Sequence, residues 1–271
     1  MPEKNILLQA FDARWLRLRK EWNRTQHRYS EGAVHDLRVA SRRLIAVLET
    51  LRDVVDDPQI QECRRRVKKS LAALSPFRDV HVQSQRVSRL TRRYPQLKPF
   101  LSKLNDQEAR NVRKVQKVLK KGPKVSSVIA KAKKRAEEHL DDNELVVGIL
   151  DKRHAEVIRL AEKVDPTDTA TIHRTRLAFK RFRYTAEIVQ PLTKNVVTKA
   201  RLKEFHAFQT MMGDIQDVEV LSARLAKWAG REEKRSEELR PVLLELERQK
   251  QKNVATFMES LDKLHSFWRA L

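Results

Sequence analysis

The 271-residue chain predicts an all-α fold: two four-helix bundles of antiparallel helices, related by an internal duplication and a pseudo-two-fold axis. Three observations carry that expectation. Glycine occurs only five times, while Leu, Ala, Lys, Arg, Glu and Val dominate, so helix is the default state. Apolar residues recur at helical spacing along nearly the whole chain, and no segment shows sustained strand alternation. Two motifs repeat at one offset: His35 to Asp79 and His173 to Asp217 each span 44 residues (79 − 35 and 217 − 173), and 173 − 35 gives 138.

The elements follow in order. Ile6, Leu7, Phe11, Trp15, Leu18 and Trp22 mark a first helix over about 5–28. After Ser30 and Gly32, Val34, Leu37, Leu44, Leu48, Leu51 and Val55 mark a second over about 32–55. Pro58 suits the first position of a third, striped by Ile60, Val67, Leu71 and Leu74; Ser75-Pro76 is expected to break or kink it before the pattern resumes to about 91. Pro95 opens a fourth, through Leu104 and Val115 to Leu119, and Gly122-Pro123 is the clearest boundary in the chain. A short helix over about 125–140 joins the halves, and further helices are predicted near 143–164, 168–190, 194–212, 214–229 and 234–268. The division expected is a first bundle over 1–121, a basic connecting segment over 122–141 and a second bundle over 142–271.

The repeat has a register. It pairs His35-x-x-Arg38 with His173-x-x-Arg176, Arg42-Arg43 with Lys180-Arg181, Asp79-Val80 with Asp217-Val218, and the breaks at Ser75 and Gly213. One offset shared by distant motifs points to duplication.

Charge is the other strong signal. Fifty-eight Lys and Arg face 36 Asp and Glu, a net of +22, a field that attracts polyanions. Nucleic acid, an anionic membrane surface and inorganic polyphosphate all fit it. The lone Cys63 excludes an intramolecular disulfide and a Cys-based metal site and reads as a small core residue. The N-terminal stretch lacks the apolar region of a signal peptide, and no run of about 18 apolar residues exists, so a cytoplasmic location without a membrane span is expected.

At about 100° per residue, His173, Arg176, Lys180 and Arg183 fall within a stripe roughly 80° wide, beside an apolar stripe of Ile172, Phe179, Phe182, Ala186 and Val189. His35, Arg38 and Arg42 repeat it beside Leu37, Leu44, Leu48 and Leu51. Like charges at i,i+4 oppose helix stability, and an anionic polymer along the stripe would offset that repulsion. Arg grips phosphate oxygens with a planar fork, Lys adds a compact charge, and His donates from one ring nitrogen or, protonated, from two. Both histidines are placed in the first turn of their helices, beside free backbone N–H donors. Arg65 and Lys69 in the first half, Lys203 and His206 in the second, and Arg78 join as further candidates. Asp79 and Asp217, following the predicted breaks, read as caps or ion-pair partners rather than catalytic groups. Residues 109–136 hold eleven Lys and Arg and no acid, and suit either a solvated linker or a second polyanion contact; the mixed-sign 231–240 reads as a solvated face.

The segments VHDLRVASRRLIAVLETLR (34–52) and HRTRLAFKRFRYTAEI (173–188) resemble the two signatures of the CHAD family, the conserved histidine α-helical domain. PFRDVHV (76–82) and MGDIQDVEV (212–220) resemble the turn that follows each. The resemblance implies paired helical bundles and non-catalytic binding of inorganic polyphosphate along a basic central channel; a structural scaffold whose basic surface docks on polyphosphate granules or acidic proteins is a further reading. It assigns His35, Arg38, Arg42 and Arg43 from one half, and His173, Arg176, Lys180, Arg181 and Arg183 from the other. Ile45 departs from the pattern, which often carries a basic residue there.

A nucleic-acid binder is the main alternative. The charge favours it, but the Trp and Tyr residues mostly occupy apolar helix positions and leave no evident stacking platform. A metal-dependent phosphohydrolase is disfavoured: His35-Asp36 becomes His173-Arg174 in the repeat, and no HExxH motif or acidic cluster supplies ligands. No cofactor or metal is expected.

Overall fold

The computed structural model describes residues 5–120, 125–140, 143–230 and 232–268; the predicted Gly122-Pro123 boundary lies outside them. The described residues form helices and no strand. They are α1 (Ile6–His27), α2 (Glu31–Val54), α3 (Pro58–Leu90), a 3-10 turn (Pro95–Leu97), α4 (Lys98–Lys120), α5 (Ser126–His139), α6 (Glu144–Ala161), α7 (Thr169–Val189), α8 (Lys199–Ala229), α9 (Glu233–Glu259) and α10 (Lys263–Phe267). Adding 138 to the first residues of α1 and α2 gives 144 and 169, where α6 and α7 begin. The same sum for α3 and α4 gives 196 and 236, three residues from the starts of α8 and α9.

Local chemistry sets the helix starts. Asn5 Oδ1 accepts the Leu7 N–H at 2.9 Å and Ser30 Oγ accepts the Ala33 N–H at 3.1 Å, each satisfying an amide that the first turn leaves free. Asp57 does the same for Gln59 at 2.7 Å, with Pro58 opening α3.

Four expectations are corrected. Of the break or kink expected at Ser75-Pro76, the break does not occur: α3 runs through Pro76. Buried Leu74 and Phe77 anchor both sides of the proline, and Ala72, whose carbonyl loses its helical donor, faces solvent. Nor does Gly213 divide 194–212 from 214–229, since α8 is one helix. That helix starts at Lys199, because the Thr193 carbonyl accepts the N–H groups of Val196 and Val197 at 2.9 and 2.7 Å in a turn that precedes it. The predicted 234–268 helix is two, with α9 closing at Ser260 and α10 following.

The chain divides into two compact units, each drawing on both sides of the 122–141 segment. One holds residues up to Arg78, Arg110–Lys152 and Arg181–Thr198; the other holds Asp79–Ala109, Arg153–Lys180 and residues from Lys199 onward. In the first unit α1 packs on α2. Leu7, Phe11 and Trp22 of α1 and Val34, Leu37, Leu44 and Leu48 of α2 are buried there, each contributing about 1.5–3 kcal/mol. Cys63 is fully buried in this unit, as expected of a core residue, and burial pushes its thiol up to about 12. In the second unit α8 packs on α9. Val80, Phe100, Leu104, Val218, Leu225 and Leu246 share one cluster, and Phe179 meets Phe205, Phe208 and Phe267 at 5.2–6.1 Å between ring centroids.

Candidate functional site

The first unit contains the basic row of α2. His35 is exposed, Arg42 and Arg43 are half-buried, and Arg38 is 4% exposed. A buried guanidinium needs hydrogen-bond partners. Arg38 Nη1 donates to Ser75 Oγ at 2.9 Å, and that hydroxyl donates in turn to the Leu71 carbonyl at 3.2 Å. Ser75 therefore acts as a neutral seat for the arginine, next to Pro76, whose carbonyl takes the Asn111 amide at 2.9 Å. Arg78, one turn on along α3, is half-buried. Partial burial depresses the His35 pKa, and Arg78, Arg42 and Arg38 depress it further, against a smaller opposing pull from Asp36. The imidazole thus belongs to the same positive field as three arginines. Asp36 offers little relief, because Arg24 takes it at 2.5 Å.

His35 is not in the first turn, which corrects its expected place beside free amides. Ser30 caps α2, Val34 N–H already bonds the Ser30 carbonyl at 3.0 Å, and His35 follows it. His173 is likewise the fifth residue of α7. Asp79 and Asp217 are exposed within α3 and α8 and cap nothing, because no helix ends beside them.

The second unit contains His173, Arg176 and Lys180, all half-buried on α7. His173 Nδ1 is buried and meets no hydrogen-bond partner among the described residues. The Arg176 guanidinium lies against Gly213 of α8: a Cβ built there would meet Nη2 at 3.5 Å and Nε at 3.6 Å. Arg38 with Ser75 and Arg176 with Gly213 are thus the same pairing 138 residues apart.

The remaining candidates divide. Arg181 is exposed and Arg183 is 7% exposed; both lie in the first unit. Arg183 Nη1 donates to Glu187 Oε1 at 2.5 Å, and its guanidinium stacks over the Tyr184 ring at 4.3 Å. Arg43 Nε lies 3.4 Å from Glu187 Oε2, an ion pair without hydrogen-bond geometry. Arg65 is exposed, but its fork closes on Glu62 at 2.7 and 2.9 Å. Lys69 of α3, and Lys203 and His206 of α8, are exposed. His206 lines a surface cleft with Thr210, Asp214 and Asn253. In the basic 109–136 stretch, Lys133 pairs with Asp12 at 2.8 Å and Arg135 with Asp57 at 3.5 Å, so part of that charge attaches α5 to its own unit. In 231–240, Arg235 pairs with Glu232 at 2.6 Å and covers the Trp228 ring.

Sequence reading missed the roles of Ser75 and Gly213, taken only as helix breaks, and of Glu187. The Arg183–Glu187 spacing of four was the available signal for the last. Ile45, the departure from the repeated pattern, is buried where the repeat has Arg183. Its helix partner Glu49, equivalent to Glu187, pairs instead with Lys68 at 2.8 Å and Arg64 at 3.2 Å. Burial pushes the Glu49 carboxyl up, but these two cations outweigh it and hold it below the usual range. These two half-buried carboxylates, 138 residues apart, thus meet different cations.

No helix among the described residues is long and apolar enough to cross a membrane. No curated protein matches the sequence. Among solved structures, the chain is similar to the CHAD domain from the plant Ricinus communis, at 20% identity and a TM-score of 0.75 over 98% of this chain and 92% of that one. It is also similar to PptA from Streptomyces chartreusis, at 16% identity and a TM-score of 0.69 over 96% of this chain and 98% of that one. The CHAD domain family model matches residues 9–226. With that match spanning most of the sequence, and both of its histidine-led basic rows inside it, the chain belongs to the CHAD domain family.

Proposed function

We propose that this protein binds inorganic polyphosphate along the two basic rows, His35–Arg38–Arg42 of α2 and His173–Arg176–Lys180 of α7, and catalyses no reaction. The observation that carries the reading is the repeated seating of Arg38 and Arg176 on small residues of the following helix. Each seat draws its arginine into a row with a histidine and a further cation, and the chain's net charge of +22 gives such rows a field that attracts a polyanion. The repeat is read as an internal duplication that supplied two such rows, one to each compact unit. Arg43, Arg78, Arg181 and Arg183 extend the first unit's row, and Lys203 and His206 extend the second's. Arg65, whose fork is held by Glu62, and Lys69 serve as peripheral charge. The setting proposed is cytoplasmic, at polyphosphate granules.

The test is competition between long-chain polyphosphate and duplex DNA at equal phosphate concentration. Polyphosphate should displace DNA and not the reverse. Its affinity should fall steeply between about 50 and 200 mM salt, as counterion release requires. Equal competition would favour a general nucleic-acid binder, and an affinity flat in salt would overturn a multi-phosphate site.

A further inference from the structure

In the first unit, two guanidinium groups meet one carboxylate, within the field of a third. Glu187 is only 12% exposed, accepts from Arg183 at 2.5 Å and lies 3.4 Å from Arg43 Nε. That Nε is buried with no hydrogen-bond acceptor among the described residues. Arg14 of α1 lies within electrostatic reach of both Arg43 and Glu187. Burial depresses its pKa, repulsion from Arg43 depresses it further, and attraction to Glu187 opposes both. Three cations thus act on one carboxylate. The equivalent Glu49 contrasts with this arrangement: its two cations hold it at hydrogen-bonding distance, and Ile45 removes the third. Arg43 follows Arg42 directly in sequence, so the α2 row runs into this group.

Resting on the polyphosphate reading, we infer that Arg14, Arg43 and Arg183 form a phosphate subsite which Glu187 occupies as an internal counterion, and that a phosphate group of the polymer takes its place on binding. Successive phosphates of the chain each bring two non-bridging oxygens, so adjacent units can answer Arg43 Nε while still holding Arg183 and Arg14. Glu187 thereby sets a threshold. Small monoanions compete poorly with a carboxylate already in position, whereas a polymer held along the α2 row presents phosphate at high local concentration. The subsite thus favours chains over single anions.

The experiment compares Glu187→Gln, Glu49→Gln and Arg14→Gln with the parent, measuring polyphosphate affinity at fixed salt alongside circular dichroism and melting temperature. Glu187→Gln and Glu49→Gln change net charge equally at equivalent positions of the two repeats. Glu187→Gln should bind roughly tenfold tighter, the effect of freeing charge-assisted donors. Glu49→Gln should stay within about twofold, as for a modest change in general field. Arg14→Gln should bind several-fold more weakly with its fold intact. Inorganic phosphate should raise the melting temperature of Glu187→Gln more than that of the parent or of Glu49→Gln. Equal tightening by both glutamines, or weaker binding by Glu187→Gln, would overturn the inference and make Glu187 a structural pair. If Glu187→Gln does not fold, Arg14→Gln decides alone, and parent-like affinity there overturns it. A parent that binds no polyphosphate sinks the wider reading instead, and the phosphate-induced melting shift still reads the subsite.

Discussion

The Arg38 guanidinium donates to the Ser75 hydroxyl at 2.9 Å, and 138 residues later Arg176 lies against Gly213 at the equivalent place. Ser75 and Gly213 both stand within long helices, where only a small side chain lets the guanidinium approach the backbone so closely. The pair shows how each helix sets an arginine beside its apolar seam against a small residue of a long neighbouring helix.

Changes at these two seats should act in opposite directions on stability. Ser75→Ala removes a hydrogen bond from a buried charged donor and should cost roughly 1.5–3 kcal/mol. Gly213→Ala should stabilise by about 0.5–1 kcal/mol, because glycine is costly inside a helix and the new Cβ meets the Arg176 guanidinium at 3.5 Å, an ordinary contact. Denaturant midpoints at constant m-value would measure both. A Gly213→Ala protein less stable than the parent would mean that Arg176 cannot give way.

Charge reversal tests the rows against net charge alone. Arg42 and Lys180 are both half-buried, and the exposed Lys234 of α9 is the control. If the rows bind the polymer, Arg42→Glu and Lys180→Glu should each cost more than roughly 1.5–3 kcal/mol of affinity, the worth of one charge-assisted hydrogen bond. Lys234→Glu should cost far less. The double variant should approach background binding while helical content stays near that of the parent. Equal losses at all three positions would leave only a nonspecific basic surface.

Binding should take up protons. His35 has its pKa depressed in the free protein, by burial and then by Arg78, so it is neutral at neutral pH. Phosphates alongside would raise it. Affinity should therefore strengthen as pH falls toward and below the ordinary imidazole value of about 6.5. The sign for folding is opposite. Protonation is disfavoured in the folded protein, so the stability due to His35 is full above its ordinary pKa of about 6.5 and is lost as pH falls below it. Calorimetry in buffers of different ionisation enthalpy would count the protons, and His35→Gln should remove part of the uptake. An unchanged count in His35→Gln would assign the uptake elsewhere.

The helices, their order and the 138-residue register were legible in the sequence, because periodicity and spacing are local properties of a chain. So was the row of cations beside the apolar stripe, since a helix of fixed pitch maps spacing onto a face. What those cations touch was not legible. Pro76 and Gly213 read as breaks because proline and glycine disfavour helix in isolation, yet buried Leu74 and Phe77 hold α3 together across the first. Arg183 and Arg42 look alike on a helical wheel, but one is buried against Glu187 and Tyr184 and the other is half-exposed. The compact units gather segments from both sides of the 122–141 connection, a division no linear composition shift reveals. Which charges stay available depends on partners distant in sequence, such as Arg43 for Glu187 or Arg24 for Asp36, and only tertiary packing brings those together.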